Sequence, residues 1–257
     1  QHKLVSALVA AFYMFSMHVV NEFADREAQK LNDPARAAFY ERHAWALVSL
    51  AIGLALVSIV IAGLEVSWIA LLLLVVASVL GGMYRVRLLP EGLFRSLRYR
   101  RLADMPCSRE LFLALAWCVT AVVIPLLAEH ERLSPAFGVA LAFTFALSFT
   151  RAALLDIRDI QGDRIVGKET MPIVLGKPAV KVILAALLLA VAALLFFAPG
   201  LGWCSPLSYG FLACTAYAAA YLWLYHLRLI GDGYLCEGVV DANFLLAGLV
   251  AYVGQAW

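Results

Sequence analysis

Eight apolar runs, each close to the length that crosses a lipid bilayer, leave this 257-residue chain few ways to fold. They cover roughly 4–20, 44–63, 67–83, 110–127, 136–155, 180–198, 207–227 and 238–257. A hydrocarbon core of about 30 Å needs about 20 apolar residues in helical form. Inside it every backbone N–H and C=O must be satisfied within the protein, which leaves helices or closed barrels. The runs are continuous and rich in Ala and Leu rather than alternating, so they read as helices. With 64% apolar and 15% charged residues, the composition lies outside the soluble range. The expectation is an all-α polytopic membrane protein with about eight transmembrane helices. The third run is short and carries Gly81 and Gly82.

Charge placement orients the bundle. If the helices alternate in direction, one side carries the connections 21–43, 84–109, 151–181 and 228–236. Those hold 18 of the 20 Lys and Arg residues, and only Lys3 and Arg132 fall on the other side. Cytoplasmic loops carry such an excess, so the basic side is expected to face the cytoplasm, in the inner membrane if the chain is prokaryotic. The net charge of +2 carries much less information than this asymmetry. Connections on the opposite side are short (64–66, 129–135, 199–206), which points to a single integral-membrane domain over residues 1–257. Nothing in the pattern suggests nucleic-acid binding or an obligatory protein partner. Membrane lipids are the expected surroundings.

Two acidic clusters stand where apolar runs end on the basic side. The first is Asn21-Glu22-Phe23-Ala24-Asp25-Arg26-Glu27-Ala28-Gln29, and the second is Asp156-Ile157-Arg158-Asp159-Ile160-Gln161-Gly162-Asp163-Arg164. Glu22, Asp25 and Gln29 overlay Asp156, Asp159 and Asp163 with one shared spacing of three then four. On a helix that spacing puts the three side chains on one face. A single acidic stretch of this kind is often only a solvated helix end. Two matched sets at a membrane boundary point instead to a common ligand, because such carboxylates are costly unless used.

Carboxylate and carboxamide oxygens are hard ligands suited to Mg²⁺, which commonly binds through one or two carboxylates plus substrate phosphates. Beside a basic loop they suggest a diphosphate held through Mg²⁺, with Lys or Arg taking up further oxygen charge. The membrane setting makes the phosphate ester a lipid. There is no Gly-rich nucleotide loop and no Ser or Cys nucleophile beside a His and an acid. The five cysteines and five histidines are scattered, with no zinc spacing and no disulfide framework.

The run Asn21-Glu22-Phe23-Ala24-Asp25-Arg26 resembles the first aspartate-rich motif of the UbiA superfamily of intramembrane prenyltransferases. The run from Asp156 through Asp159, Asp163, Gly167-Lys168 and Thr170 to Leu175-Gly176 resembles the second and is the more specific of the two. The similarity extends over the whole chain in helix order. In the family the first motif closes the second helix. Here it closes the first, so the family's opening helix is expected to be lacking.

The resemblance implies helices around a central cavity, with the two motifs facing each other at its cytoplasmic mouth. It implies that Asn21 and Asp25 hold one Mg²⁺ and Asp159 and Asp163 another, with Asp156 as a further ligand or support. Asp25, Asp159 and Asp163 are the residues on which catalysis is expected to depend. Tyr84, Arg85 and Arg87 resemble the family's tyrosine and basic residues that contact the diphosphate. Arg36 is a candidate for the same part, and Lys168 could neutralise diphosphate charge or simply be solvated. His18 is either a packing residue or a group that binds or deprotonates the acceptor. Phe145 and Phe149, on the face of Asp156, could shield a carbocation or pack.

Two positions depart from the family pattern. Glu22 and Gln29 stand where Asp is usual; Glu keeps the charge with longer reach, while Gln loses it. The implied reaction moves an isoprenoid chain from a prenyl diphosphate to an aromatic or other small acceptor, with Mg²⁺ as cofactor, as in quinone or lipid biosynthesis. Two other readings stay open: a terpene cyclase that closes the prenyl chain on itself, and a non-catalytic lipid-binding or transport homologue. The pair Glu237 and Asp241, four residues apart at the start of the last run, receives no role from the resemblance.

Overall fold

Helices are the only regular elements in the computed structural model, which describes residues 2–83, 105, 107–129, 133–231 and 233–254. In chain order they begin with α1 (His2–Ala24), α2 (Arg26–Asn32) and α3 (Pro34–Arg42). Asp33 starts α3 because its carboxylate accepts the Arg36 N–H at 3.0 Å and Pro34 fills the first helical position. Next comes α4 (Ala44–Ile61), which widens into a π turn over Ala62–Val66. Ser67 then takes an extended conformation, and its hydroxyl accepts the Ala70 N–H at 3.1 Å to start α5 (Trp68–Met83).

α6 (Ser108–Cys118) runs through a second π turn (Val119–Val123) into α7 (Ile124–Ala128), forming one 21-residue apolar rod. Pro125 has no N–H to give the preceding turn, which accounts for the local widening. The remaining helices are α8 (Pro135–Ile165), α9 (Met171–Leu175), α10 (Lys177–Phe197), α11 (Ser208–His226) and α12 (Tyr234–Gly254).

Six of these rods are long and apolar enough to cross a membrane. They are α1, α4 with its π turn, α6–α7, α8, α10 and α12. The other two expected spans are helical but fall short for different reasons. α5 has 16 residues, and α11 is diluted by four tyrosines in 19 residues. Large apolar side chains exposed on these rods, such as Trp45, Leu64 and Leu245, suit a lipid surface.

The chain forms two compact units, residues 1–132 with 159–170 and residues 133–158 with 171–257. In the first, α1 packs chiefly on α4, around a core of Val9, Tyr13, Leu74 and Ile124. Two hydroxyls buried among these helices find backbone partners, as an apolar interior favours. Tyr13 donates to the Leu74 carbonyl at 3.2 Å, and Ser58 donates to the Val9 carbonyl at 2.8 Å.

In the second unit, α11 packs on α10 and α12. Ser208 donates to the Leu195 carbonyl at 3.1 Å, Tyr217 to the Val239 carbonyl at 2.8 Å and the Asn243 amide to the Cys214 carbonyl at 3.2 Å. Two ion pairs join α8 to α12. Arg151 grips Asp241 through both carboxylate oxygens, at 2.5 and 3.2 Å, and Arg158 lies 3.6 Å from Glu237. Glu237 and Asp241 are thus partners of α8 arginines.

Candidate functional site

The first acidic cluster keeps its helical spacing because α1 bends at Asp25 without being cut. Asp25 has φ −100° and ψ 11°, yet its N–H donates to the Asn21 carbonyl at 2.9 Å and its carbonyl accepts the Gln29 N–H at 3.0 Å. The periodicity of α1 therefore carries into α2, and Glu22, Asp25 and Gln29 stay near one face. Asp25 is 8% and Gln29 9% exposed. Asn21, one turn earlier, is exposed.

The second cluster lies on α8, whose 31 residues reach about 47 Å. That exceeds a hydrocarbon core of about 30 Å, so the polar last turns can project beyond the lipid while the apolar part spans it. Asp156, Asp159 and Asp163 follow one another along this unbroken helix and are 2%, 8% and 1% exposed. Arg164, between them and the cap, points to solvent.

How α8 ends decides what Asp163 meets. Gly167 adopts φ +74°, the left-handed conformation that a glycine takes without steric cost. Its N–H donates to the Arg164 carbonyl at 3.2 Å, and the Lys168 N–H reaches the Asp163 carbonyl at 2.9 Å. This pair of bonds is a Schellman cap, and it folds the chain back over the last turn. Lys168 is thereby turned inward. Its ammonium lies 3.0 Å from Asp163 Oδ1 and 3.2 Å from Asp25 Oδ1.

A second cation reaches the same two carboxylates. Arg109, in the first turn of α6, places Nη2 3.4 Å from Asp25 Oδ2 and Nη1 3.9 Å from Asp163 Oδ2. Sequence reasoning counted Arg109 only as loop charge. The signal available was its place at the mouth of an apolar run, which many basic residues share. Asn32 was also missed: its amide oxygen accepts the Gly162 N–H at 3.1 Å and holds α2 against α8. A Cβ at Gly162 would overlap that amide, which gives a physical reason for glycine inside the second cluster.

The other expected site residues divide. Arg36 and His18 gather at Glu22, with Arg36 Nη1 3.7 Å and His18 Nε2 3.9 Å from Glu22 Oε1. Glu22 and Gln29 also line a groove of about 380 Å³ with Phe23, Tyr40 and Trp45. The two departures from the family pattern therefore border the same space. Phe145 and Phe149 stack at 5.5 Å on α8, within the second unit. Tyr84, Arg85 and Arg87 lie outside the described residues.

The donor set suits a hard divalent ion in its chemistry. Asp25 and Asp163 already share a cation, the Lys168 ammonium, and their oxygens are of the kind Mg²⁺ prefers. Among the described residues, no three Asp, Glu, His or Cys side chains converge closely enough to hold a metal by themselves. An ion bound here would complete its shell with water and diphosphate oxygens, as Mg²⁺ commonly does.

Comparison with known proteins adds two findings. The family model of the UbiA prenyltransferase family matches residues 2–232. Two solved structures of a UbiA homologue from Archaeoglobus fulgidus share the fold. The one bound to DMAPP and Mg²⁺ is 18% identical with a TM-score of 0.68. The one bound to GPP and Mg²⁺ is 17% identical with a TM-score of 0.66. Both alignments cover 100% of this chain and 87% of the other. No curated protein matches this sequence.

Proposed function

The chain belongs to the UbiA prenyltransferase family, and on that premise we propose that it is a Mg²⁺-dependent intramembrane enzyme transferring an isoprenoid chain from a prenyl diphosphate to an aromatic or other small acceptor. It is an integral membrane protein, with six apolar rods of spanning length. α5 and α11 complete eight spans on this reading, and residues 1–257 act as one domain, since the family match runs through both compact units. Both motifs lie on the basic, cytoplasmic side.

One observation carries the proposal: Asp25 of the first motif and Asp163 of the second, 138 positions apart, contact the same ammonium and the same guanidinium. Asp25, Asp159 and Asp163, with Asn21 and Asp156 in support, would hold Mg²⁺. When bound, the metal supplies charge stabilisation to the departing diphosphate. Lys168 and Arg109 are placed to neutralise the remaining oxygen charge; the family resemblance gives Tyr84, Arg85 and Arg87 the same part. Arg36 and His18 act through Glu22, which lines the groove, to orient the acceptor. The apolar spans keep water from the allylic cation that forms when the carbon–oxygen bond breaks. The solved homologue bound to DMAPP or GPP with Mg²⁺ supports this choice of substrate class.

The test is turnover of a labelled prenyl diphosphate by the purified protein with a panel of phenolic acceptors. Asp25→Ala and Asp163→Ala are each expected to lose nearly all activity. Diphosphate release without any acceptor, yielding a cyclic product, would instead establish a cyclase. No turnover by the wild type with any acceptor, with prenyl-lipid binding intact in it and in both variants, would instead establish a non-catalytic lipid-binding protein.

A further inference from the structure

The two cations at the paired aspartates hold positions that a catalytic metal would contest. We infer that Lys168, assisted by Arg109, is a resident counter-charge: it holds Asp25 and Asp163 together before Mg²⁺ arrives, then passes to the diphosphate as the carboxylates engage the metal. This rests on the proposed function, and it concerns how the site is kept assembled and how substrate and metal are made to enter together.

Three observations carry it. Asp163 is 1% and Asp25 8% exposed, and two such carboxylates close together repel strongly in a low-dielectric setting unless a cation lies between them. The Lys168 ammonium contacts both at 3.0 and 3.2 Å, while Arg109 spans the opposite oxygens at 3.4 and 3.9 Å. Two carboxylates thus face two cationic side chains across the same gap. The placement of Lys168 is also built into the backbone. The Schellman cap at Gly167 fixes its Cα over the last turn of α8, and four flexible methylenes beyond leave its head group free to move without unfolding the cap.

Charge then dictates the sequence of events. Mg²⁺ alone must displace an ammonium already satisfied by two carboxylates, so it binds weakly. A diphosphate arriving with the metal offers that ammonium new oxygen partners, so the two ligands favour each other. Reciprocal coupling of this kind is a thermodynamic requirement whenever each ligand removes a cost that the other would bear.

The experiment uses the full chain in detergent micelles, with Mg²⁺ alone and inorganic diphosphate as probes, read by calorimetry and by thermal unfolding. In Lys168→Met the affinity for Mg²⁺ alone is expected to tighten about tenfold, because its competitor is gone. Affinity for diphosphate in saturating Mg²⁺ is expected to weaken by about the same factor. The metal-free variant should melt below the wild type and recover with Mg²⁺. Lys168→Arg, which keeps the charge, should behave as wild type. Should Lys168→Met fail to fold, Arg109→Met is expected to shift both affinities in the same directions. A Lys168→Met protein with unchanged Mg²⁺ affinity, or with unweakened diphosphate binding, overturns the inference while leaving the enzyme reading intact. A wild type that binds neither probe overturns both.

Discussion

Gly167 shows how one residue can position a charged cluster without touching it. Its φ of +74° costs an L-residue about 1–2 kcal/mol, and open space surrounds the position where a Cβ would stand. Gly167→Ala is therefore expected to lower stability by about that amount through backbone strain alone. It should also loosen Lys168, so metal-free thermal stability would fall more than stability in Mg²⁺ with diphosphate. Equal losses under the two conditions would show that the cap does not position Lys168. The shared spacing of Asp25, Asp159 and Asp163 with their neighbours was visible in the sequence, because helical periodicity is local. Arg109 and Asn32 were not legible, since each is defined by a partner far away in the chain, Asp25 and Gly162 respectively.

At the scale of elements, α8 and α12 are tied by two rungs whose order reveals their relative direction. Moving forward on α8 from Arg151 to Arg158 means moving back on α12 from Asp241 to Glu237, so the helices run antiparallel. The rung nearer the second motif is the better shielded, with Arg158 and Glu237 side chains 12% and 15% exposed. Glu237→Ala removes a partner from a largely buried guanidinium and should cost roughly 2 kcal/mol, read as a lower melting temperature in detergent. The exchange Arg158→Glu with Glu237→Arg is expected to recover much of that loss; no recovery would mean that the pair's contribution lies elsewhere than in its charges. The sequence displayed the Glu237–Asp241 spacing but could not say which helix it addressed. Only packing supplies the two arginines.

For the whole molecule, the charge asymmetry leads to a prediction about sidedness that uses the native cysteines. Cys107 lies in the basic connection 84–109 and Cys204 in the opposite connection 199–206, and both are partly exposed. A membrane-impermeant thiol reagent applied to intact cells should label Cys204 and spare Cys107, with Cys107 labelled only after permeabilisation. The reverse pattern would invert the orientation and put both acidic motifs outside.

What the sequence determined by itself was the solvent, the element type and the two motifs. A bilayer imposes its demands on each run of about 20 residues separately, so length and hydropathy suffice to read the spans. The departures on that level were also local. α5 has 16 described residues and α11 is rich in tyrosine, so among the described residues six rods meet the spanning criterion where eight were expected. The tertiary structure alone decided which charges meet. Electrostatic pairing depends on distances of a few ångströms, and where the partners lie far apart in the chain, as Asp25 does from Arg109 and Lys168, no local pattern records such a distance. It brought Arg36 to Glu22 and Arg109 and Lys168 to Asp25 and Asp163, and so joined the two acidic stretches through shared cations.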